Sequence, residues 1–216
     1  MDSKPIEEII QNVVNQIDKH PFIVHRERDI QAMIYNQLCK KYDELYPTKL
    51  EDETGEIFKT NLVHCEYFFG KNEGNKQTKK KFDIVIFDKN DVKNINTHWL
   101  RIKKDGSEEI VKLNHVIEIK FETGLGGKNI TNYPNSPMES DIGKLFVLKN
   151  NLKNKKDGPN LHFVYILRLW GRHNAKFDSI IEDAENVRAE IIKNCGKDIT
   201  YYFNKKFYFY KSKTIH

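Results

Sequence analysis

Apolar residues at Ile6, Ile9, Ile10, Val13, Val14 and Ile17 recur at three- and four-residue intervals, so the first twenty residues are expected to form an amphipathic helix. Pro21, within His20-Pro21-Phe22, has no main-chain donor and ends it. A second helical pattern covers 27–45, with Ile30, Met33, Ile34, Leu38 and Tyr42 on its inner face. The acidic stretch 51–56, with Gly55 inside it, reads as a solvated loop. Beyond it the pattern changes to that of strands. The runs 62–69 and 82–87 (FDIVIF) are strands joined by a polar, lysine-rich connection over 71–81. Segments 99–102 and 109–113 flank Lys104-Asp105-Gly106, the mark of a hairpin turn. HVIEIKF at 115–121 is a further strand, 161–170 a long apolar one, and 200–210 an aromatic-rich strand or hairpin. Residues 122–137, rich in Gly, Pro and Asn, are expected to be a mobile loop, with helices over 138–150 and 179–193. Apolar strands interleaved with helices imply an α/β fold whose helices cover both faces of one sheet.

Composition narrows the class. The 216-residue chain fits one domain, with N-terminal helices over 1–46, a core over about 60–170, and a C-terminal helix and aromatic strand or hairpin over 176–212. Thirteen Phe, ten Tyr and two Trp supply enough buried surface to exclude disorder. A net charge of +5 suits a polyanionic partner without requiring one. Cys39, Cys65 and Cys195 are scattered and form no CxxC pair, which fits free thiols in a reducing compartment rather than a zinc or disulfide framework. The start of the chain shows no basic-then-apolar leader, and no apolar run approaches the ~20 residues of a membrane span. A cytoplasmic protein with no membrane partner is expected.

Chemistry enters with one misplaced acid. Asp83 interrupts the apolar run FDIVIF, where a carboxylate loses hydration at a cost of several kcal/mol unless a cation or main-chain donors compensate. In the 115–121 strand, alternation puts Glu118 and Lys120 on one face and Ile117, Ile119 and Phe121 on the other. The bland reading of Glu118 and Lys120 is a same-face ion pair on an exposed sheet. Taken with Asp83, they suit phosphodiester hydrolysis. Two carboxylates hold Mg²⁺ through hard oxygen donors, the ion acidifies a bound water, and an ammonium offsets charge at the transition state.

The pattern Asp83…Glu118-Ile119-Lys120 resembles the PD-(D/E)xK phosphodiesterase superfamily over roughly residues 25–170. That resemblance implies a restriction-endonuclease-like fold, with a central mixed sheet flanked by helices on both faces, and a Mg²⁺-dependent endonuclease in which Mn²⁺ can substitute. It implies Asp83, Glu118 and the Ile119 carbonyl as metal ligands, Lys120 as the group that positions or activates water, and Glu27 as a helix-borne acid completing the site. In the following helix, Asp141 and Lys144 lie on one side as supporting residues. The sequence departs from the pattern in having Phe82, not proline, before Asp83, and a long insert between Asp83 and Glu118. Lys79, Lys80 and Lys81 would be placed to meet backbone phosphates. Lys149, Lys153, Lys155 and Lys156 could act likewise, whereas the GLGG at 124–127 lacks the Lys-Ser/Thr of a phosphate-binding loop. DNA is expected ahead of RNA as the partner, and cutting both strands of a duplex would call for a homodimer. The alternatives are an inactive nucleic-acid-binding or assembly module on the same fold, and an RNA-directed or structure-selective nuclease.

Overall fold

Helix α1 (Lys4–Lys19) buries Ile6, Ile10, Val13, Val14 and Ile17 of the expected stripe, with Ile9 only partly buried, and a short 3-10 turn at Pro21–Ile23 follows it. Helix α2 (Glu27–Lys41) buries Ile30, Gln31, Ile34 and Leu38, so a polar residue joins its inner face. It stops before the expected 45: Tyr42 already leaves helical geometry, at φ −120° and ψ 60°, and Pro47 favours the extended backbone with which the chain enters a strand at Tyr46. That strand, β1 (Tyr46–Glu51), pairs antiparallel with β2 (Ile57–Thr60). The acidic loop between them is the hairpin's turn. The Asp52 carboxylate accepts from the main chain of Thr54 and Glu56, and Gly55 supplies the positive φ of 83°. The computed structural model describes residues 3–69, 72–73, 76–77, 80–92, 101–102, 108–109, 112–123, 143–145, 148, 158–171, 189 and 199–209.

The remaining strands are β3 (Val63–Phe69), β4 (Asn72–Glu73), β5 (Lys76–Gln77), β6 (Lys80–Phe87), β7 (Arg101–Ile102), β8 (Glu108–Glu109), β9 (Leu113–Thr123), β10 (Asn160–Gly171) and β11 (Ile199–Phe209). Strands β4 and β5 form a small ladder inside the lysine-rich connection, and β7 pairs with β8 as the expected insert hairpin. Its turn at 104–106, residues 99–100 and the loop at 124–137 lie outside the described residues. Five strands make the central mixed sheet in the order β11-β10-β9-β6-β3. Strand β6 runs antiparallel to both of its neighbours, β3 and β9, whereas β9, β10 and β11 are parallel. The aromatic C-terminal segment is therefore a single edge strand of the main sheet, not a hairpin.

Parallel neighbours need a crossover. Between β9 and β10 residues 143–145 and 148 are helical, with Leu145 and Leu148 buried. Of the 179–193 helix, residue 189 is described, and it is helical. The molecule is thus a mixed α/β protein with a five-stranded sheet and helices. Among the described residues no helix is long and apolar enough to cross a membrane. Cys39 and Cys65 are free thiols, and burial pushes Cys65 up to about 11; Cys195 lies outside the described residues.

Two polar groups lie deep on the face that packs α1. Arg168, 1% exposed, donates to the Leu167 carbonyl at 3.0 Å and to Ile17 O of α1 at 3.5 Å, a cation against a helix C-terminus. His115 and His162, both fully buried, share a ring-nitrogen hydrogen bond of 3.1 Å. Burial, reinforced by His162, pushes His115 down to about 3, and burial alone pushes His162 down to about 4. Both rings are therefore neutral in the folded protein. Unfolded histidine titrates near 6.5, so as pH falls the unfolded chain takes up protons first. The pair's contribution is complete above about pH 6.5 and drains away toward pH 4. Urea midpoints are expected to fall between pH 7 and pH 5, a window above most carboxylate titration. The double variant His115→Phe/His162→Leu should flatten that slope, and an unchanged slope would contradict the assignment.

Candidate metal centre

The ladder between β6 and β9 pairs Phe87 with Leu113, Ile86 with His115, Val85 with Val116 and Ile84 with Ile117, and there it stops. Both strands continue, β6 to Lys80 and β9 to Thr123, and β9 stays paired with β10 as far as Thr123. The next opposed positions would be Asp83 and Glu118. The two strands part at that point, leaving the β6-facing main chain of β9 without a ladder partner.

Two carboxylates fill the opening. Asp83 Oδ2 accepts the Ile119 N–H at 2.7 Å, and Glu27 Oε2, from the first residue of α2, accepts the Phe121 N–H at 3.3 Å. A strand residue turns its N–H and C=O toward the same neighbour. The Ile119 carbonyl therefore faces the same opening as Asp83. Asp83 is half-buried among buried Phe82, Ile84, Val85, Ile86 and Phe87.

Glu118 is fully buried, a harsher setting than that of Asp83, and its Oε2 lies 2.7 Å from Lys144 Nζ. Lys144 also donates to the Lys81 carbonyl at 2.9 Å, tying the helical segment to β6. An unpaired carboxylate at this depth would cost several kcal/mol, so Lys144 does much to make Glu118 tolerable. Lys120 is half-buried on the face of Glu118, opposite Tyr165 in the register with β10. That face continues into stacked or tilted aromatics: Phe163 opposite Glu118, Tyr165, and Tyr201 and Phe203 on β11. Tyr201 and Phe203, partly buried, pack against the core beside the site.

A second cluster, unanticipated from sequence, flanks Asp83 on the other side. Gln31 Nε2 donates to the Asp83 carbonyl at 2.7 Å and to Glu66 Oε1 at 3.3 Å. Glu66 is ion-paired with Lys81. In the β3–β6 ladder Cys65 pairs with Ile84 and Tyr67 with Phe82, so Glu66 sits at the level of Asp83. Its φ of 59° is left-handed, a conformation that costs a side-chain-bearing residue about 1–2 kcal/mol. The signals were faint: Gln31 sits one position beside the Ile30–Ile34 stripe, and Glu66 is an acid inside an apolar strand, as Asp83 is.

The structure thus gathers Glu27, Asp83, Ile119, Glu118 and Lys144 around one stretch of β9, with Lys120 on it and Lys81 nearby. Lys80 lies on β6; Asp141, Lys79, Lys149, Lys153, Lys155 and Lys156 lie outside the described residues. Among the described residues no three His, Cys, Asp or Glu side chains converge as a ready-made metal cage. Mg²⁺ does not demand one. It commonly takes one or two carboxylates and completes its shell with water and substrate phosphate. Asp83, Glu118 and the Ile119 carbonyl are hard oxygen donors on adjacent strands, and such a set fits that ion. No protein-family model, curated protein or solved structure matches the chain.

Lys144→Met would remove the ammonium that lies 2.7 Å from the buried Glu118 carboxylate, and a loss of about 3–5 kcal/mol in unfolding free energy is expected. Adding Glu118→Gln should recover a large part of it in a double-mutant cycle. A cost below about 0.5 kcal/mol, the level of a surface pair, would show that the contact is incidental.

Proposed function

We propose that the chain is a Mg²⁺-dependent nuclease of the PD-(D/E)xK type, cytoplasmic, acting on DNA ahead of RNA. The observation that carries this reading is the parting of β6 and β9 at Asp83 and Glu118, with Lys120 two residues further along β9. Supporting it are the acid at the start of α2 that reaches the same strand, and the helical residues after β9 that deliver Lys144. The order of helix, three antiparallel strands, helical crossover and parallel strand agrees with a restriction-endonuclease-like core.

In this reading Asp83, Glu118 and the Ile119 carbonyl would hold the ion. Bound Mg²⁺ would neutralise charge on the scissile phosphate and make water a stronger nucleophile. Lys120, projecting from β9 beside Glu118, orients the attacking water and offsets the charge that builds on the phosphate oxygens. Glu27 and Asp83 fix the path of β9 by accepting its Phe121 and Ile119 N–H groups, which sets the direction of the Glu118-Ile119-Lys120 stretch. The aromatic wall of Phe163 and Tyr165 keeps bulk water from the inner side and strengthens every charge interaction there. Lys81, paired with Glu66 and partly exposed, would add positive charge at the rim where a phosphate approaches.

A second reading has its own support. Asp83, Glu27 and Glu118 each already serve a structural contact, which is what a binding or assembly module without catalysis would retain. The intact Asp, Glu and Lys set favours the enzyme. Incubation with plasmid, linear and branched DNA and with RNA should give cleavage in Mg²⁺ or Mn²⁺ and none in EDTA. Asp83→Ala and Lys120→Ala are each expected to lower the rate at least about 10²-fold. Cleavage that survives either substitution would overturn these roles, and no cleavage with no metal heat would favour the binding module.

A further inference from the structure

Asp83 is held in an unusual way for a residue of a central strand. At its level the β6–β9 ladder has already stopped, and on the β3 side Glu66 adopts left-handed backbone, so neither bracketing ladder is regular there. The Asp83 carbonyl is bonded instead by a side chain, Gln31 Nε2 of α2, at 2.7 Å. The same amide reaches Glu66 Oε1, and Glu66 is in turn held by Lys81, two residues before Asp83 on its own strand. Gln31 is 8% exposed and one turn along α2 from Glu27, whose carboxylate reaches β9. A buried amide spent on the main chain of one aspartate, and a non-glycine residue kept at positive φ to receive the other end, form a fixed support rather than a surface contact.

We infer that Gln31, braced by Glu66 and Lys81, is a positioning residue for Asp83, locking its main chain so that its carboxylate faces the opening between β6 and β9. The inference rests on Asp83 being a metal ligand, as proposed above. Gln31 would act through the Asp83 main chain and Glu66 through Gln31, neither as a ligand. They would set the angle at which the Asp83 carboxylate is presented, in the manner of groups that orient a ligand from behind. The left-handed turn at Glu66 is the conformational means of bringing its carboxylate between Gln31 and Lys81.

The test is Mn²⁺ binding to the whole protein by calorimetry, with unfolding midpoints recorded for every variant. Gln31→Met keeps length and apolar bulk but removes the donor, and Mn²⁺ affinity is expected to fall about 10- to 100-fold in protein that remains folded. Glu66→Asn tolerates left-handed backbone but ends short of Gln31, and a smaller loss is expected. Because both act through one hydrogen bond, the double variant should bind no more weakly than Gln31→Met alone. Unchanged affinity in Gln31→Met would overturn the positioning role. Losses that add in the double variant would do so too, since Glu66 would then act on the ion independently. If the unmodified protein takes up no Mn²⁺, the metal reading itself fails, a result distinct from either of these.

Discussion

The separation of β6 from β9 after the Ile84–Ile117 pair is the constraint on which the rest of the site depends. A sheet that continued its ladder would satisfy Ile119 and Phe121 from the neighbouring main chain and leave no room for chemistry. Once the strands part, those N–H groups lie inside the protein and must be met, since an orphaned buried donor costs about 1–3 kcal/mol. Carboxylates meet them: Asp83 from the diverging strand and Glu27 from the helix above. The acids are thereby concentrated at the one place where β9 exposes a main-chain edge. Structure and candidate chemistry share one cause.

Concentrating acids has an electrostatic consequence, and lysines answer it. Glu118 is balanced by Lys144, Glu66 by Lys81, and Lys144 returns to the Lys81 carbonyl. These contacts link α2, β3, β6, β9 and the helical residues around Lys144 in one network around Asp83. Behind it Phe163 and Tyr165 are fully buried, so the charges on the inner side act in a medium less polar than water. The opposite face is used differently: there Arg168 caps α1, and a neutral histidine pair fills the core. The sheet thus carries the Glu118–Lys144 pair on one face and the Arg168 and histidine contacts on the other.

Periodicity made most of the architecture legible. The stripe of α1, the apolar run of β6, the alternation of β9 and the length of β10 follow from side-chain spacing, because burial selects it strongly. Hairpin β1–β2 was hidden, since Ile57 and Phe58 are exposed and leave no buried alternation to detect. The parallel placement of β11 depends on a crossover, which local pattern cannot encode. Within the site, Asp83 drew notice for standing in an apolar strand, yet Glu118 proves the more deeply buried acid. Sequence alone set Glu118 beside Lys120 as a surface pair or a ligand pair; its partner, Lys144, comes from another element. Gln31 and Glu66 were missed because a glutamine beside an apolar stripe and a left-handed glutamate are visible only once three elements meet.

The most direct test of the account is to crystallise the protein with Mn²⁺ and record anomalous scattering from the ion. The account predicts a peak in the opening between β6 and β9, in contact with the Asp83 and Glu118 carboxylates and the Ile119 carbonyl. A peak elsewhere, or none in crystals grown at saturating Mn²⁺ with Asp83 still on Ile119 N and Glu118 still on Lys144, would contradict it.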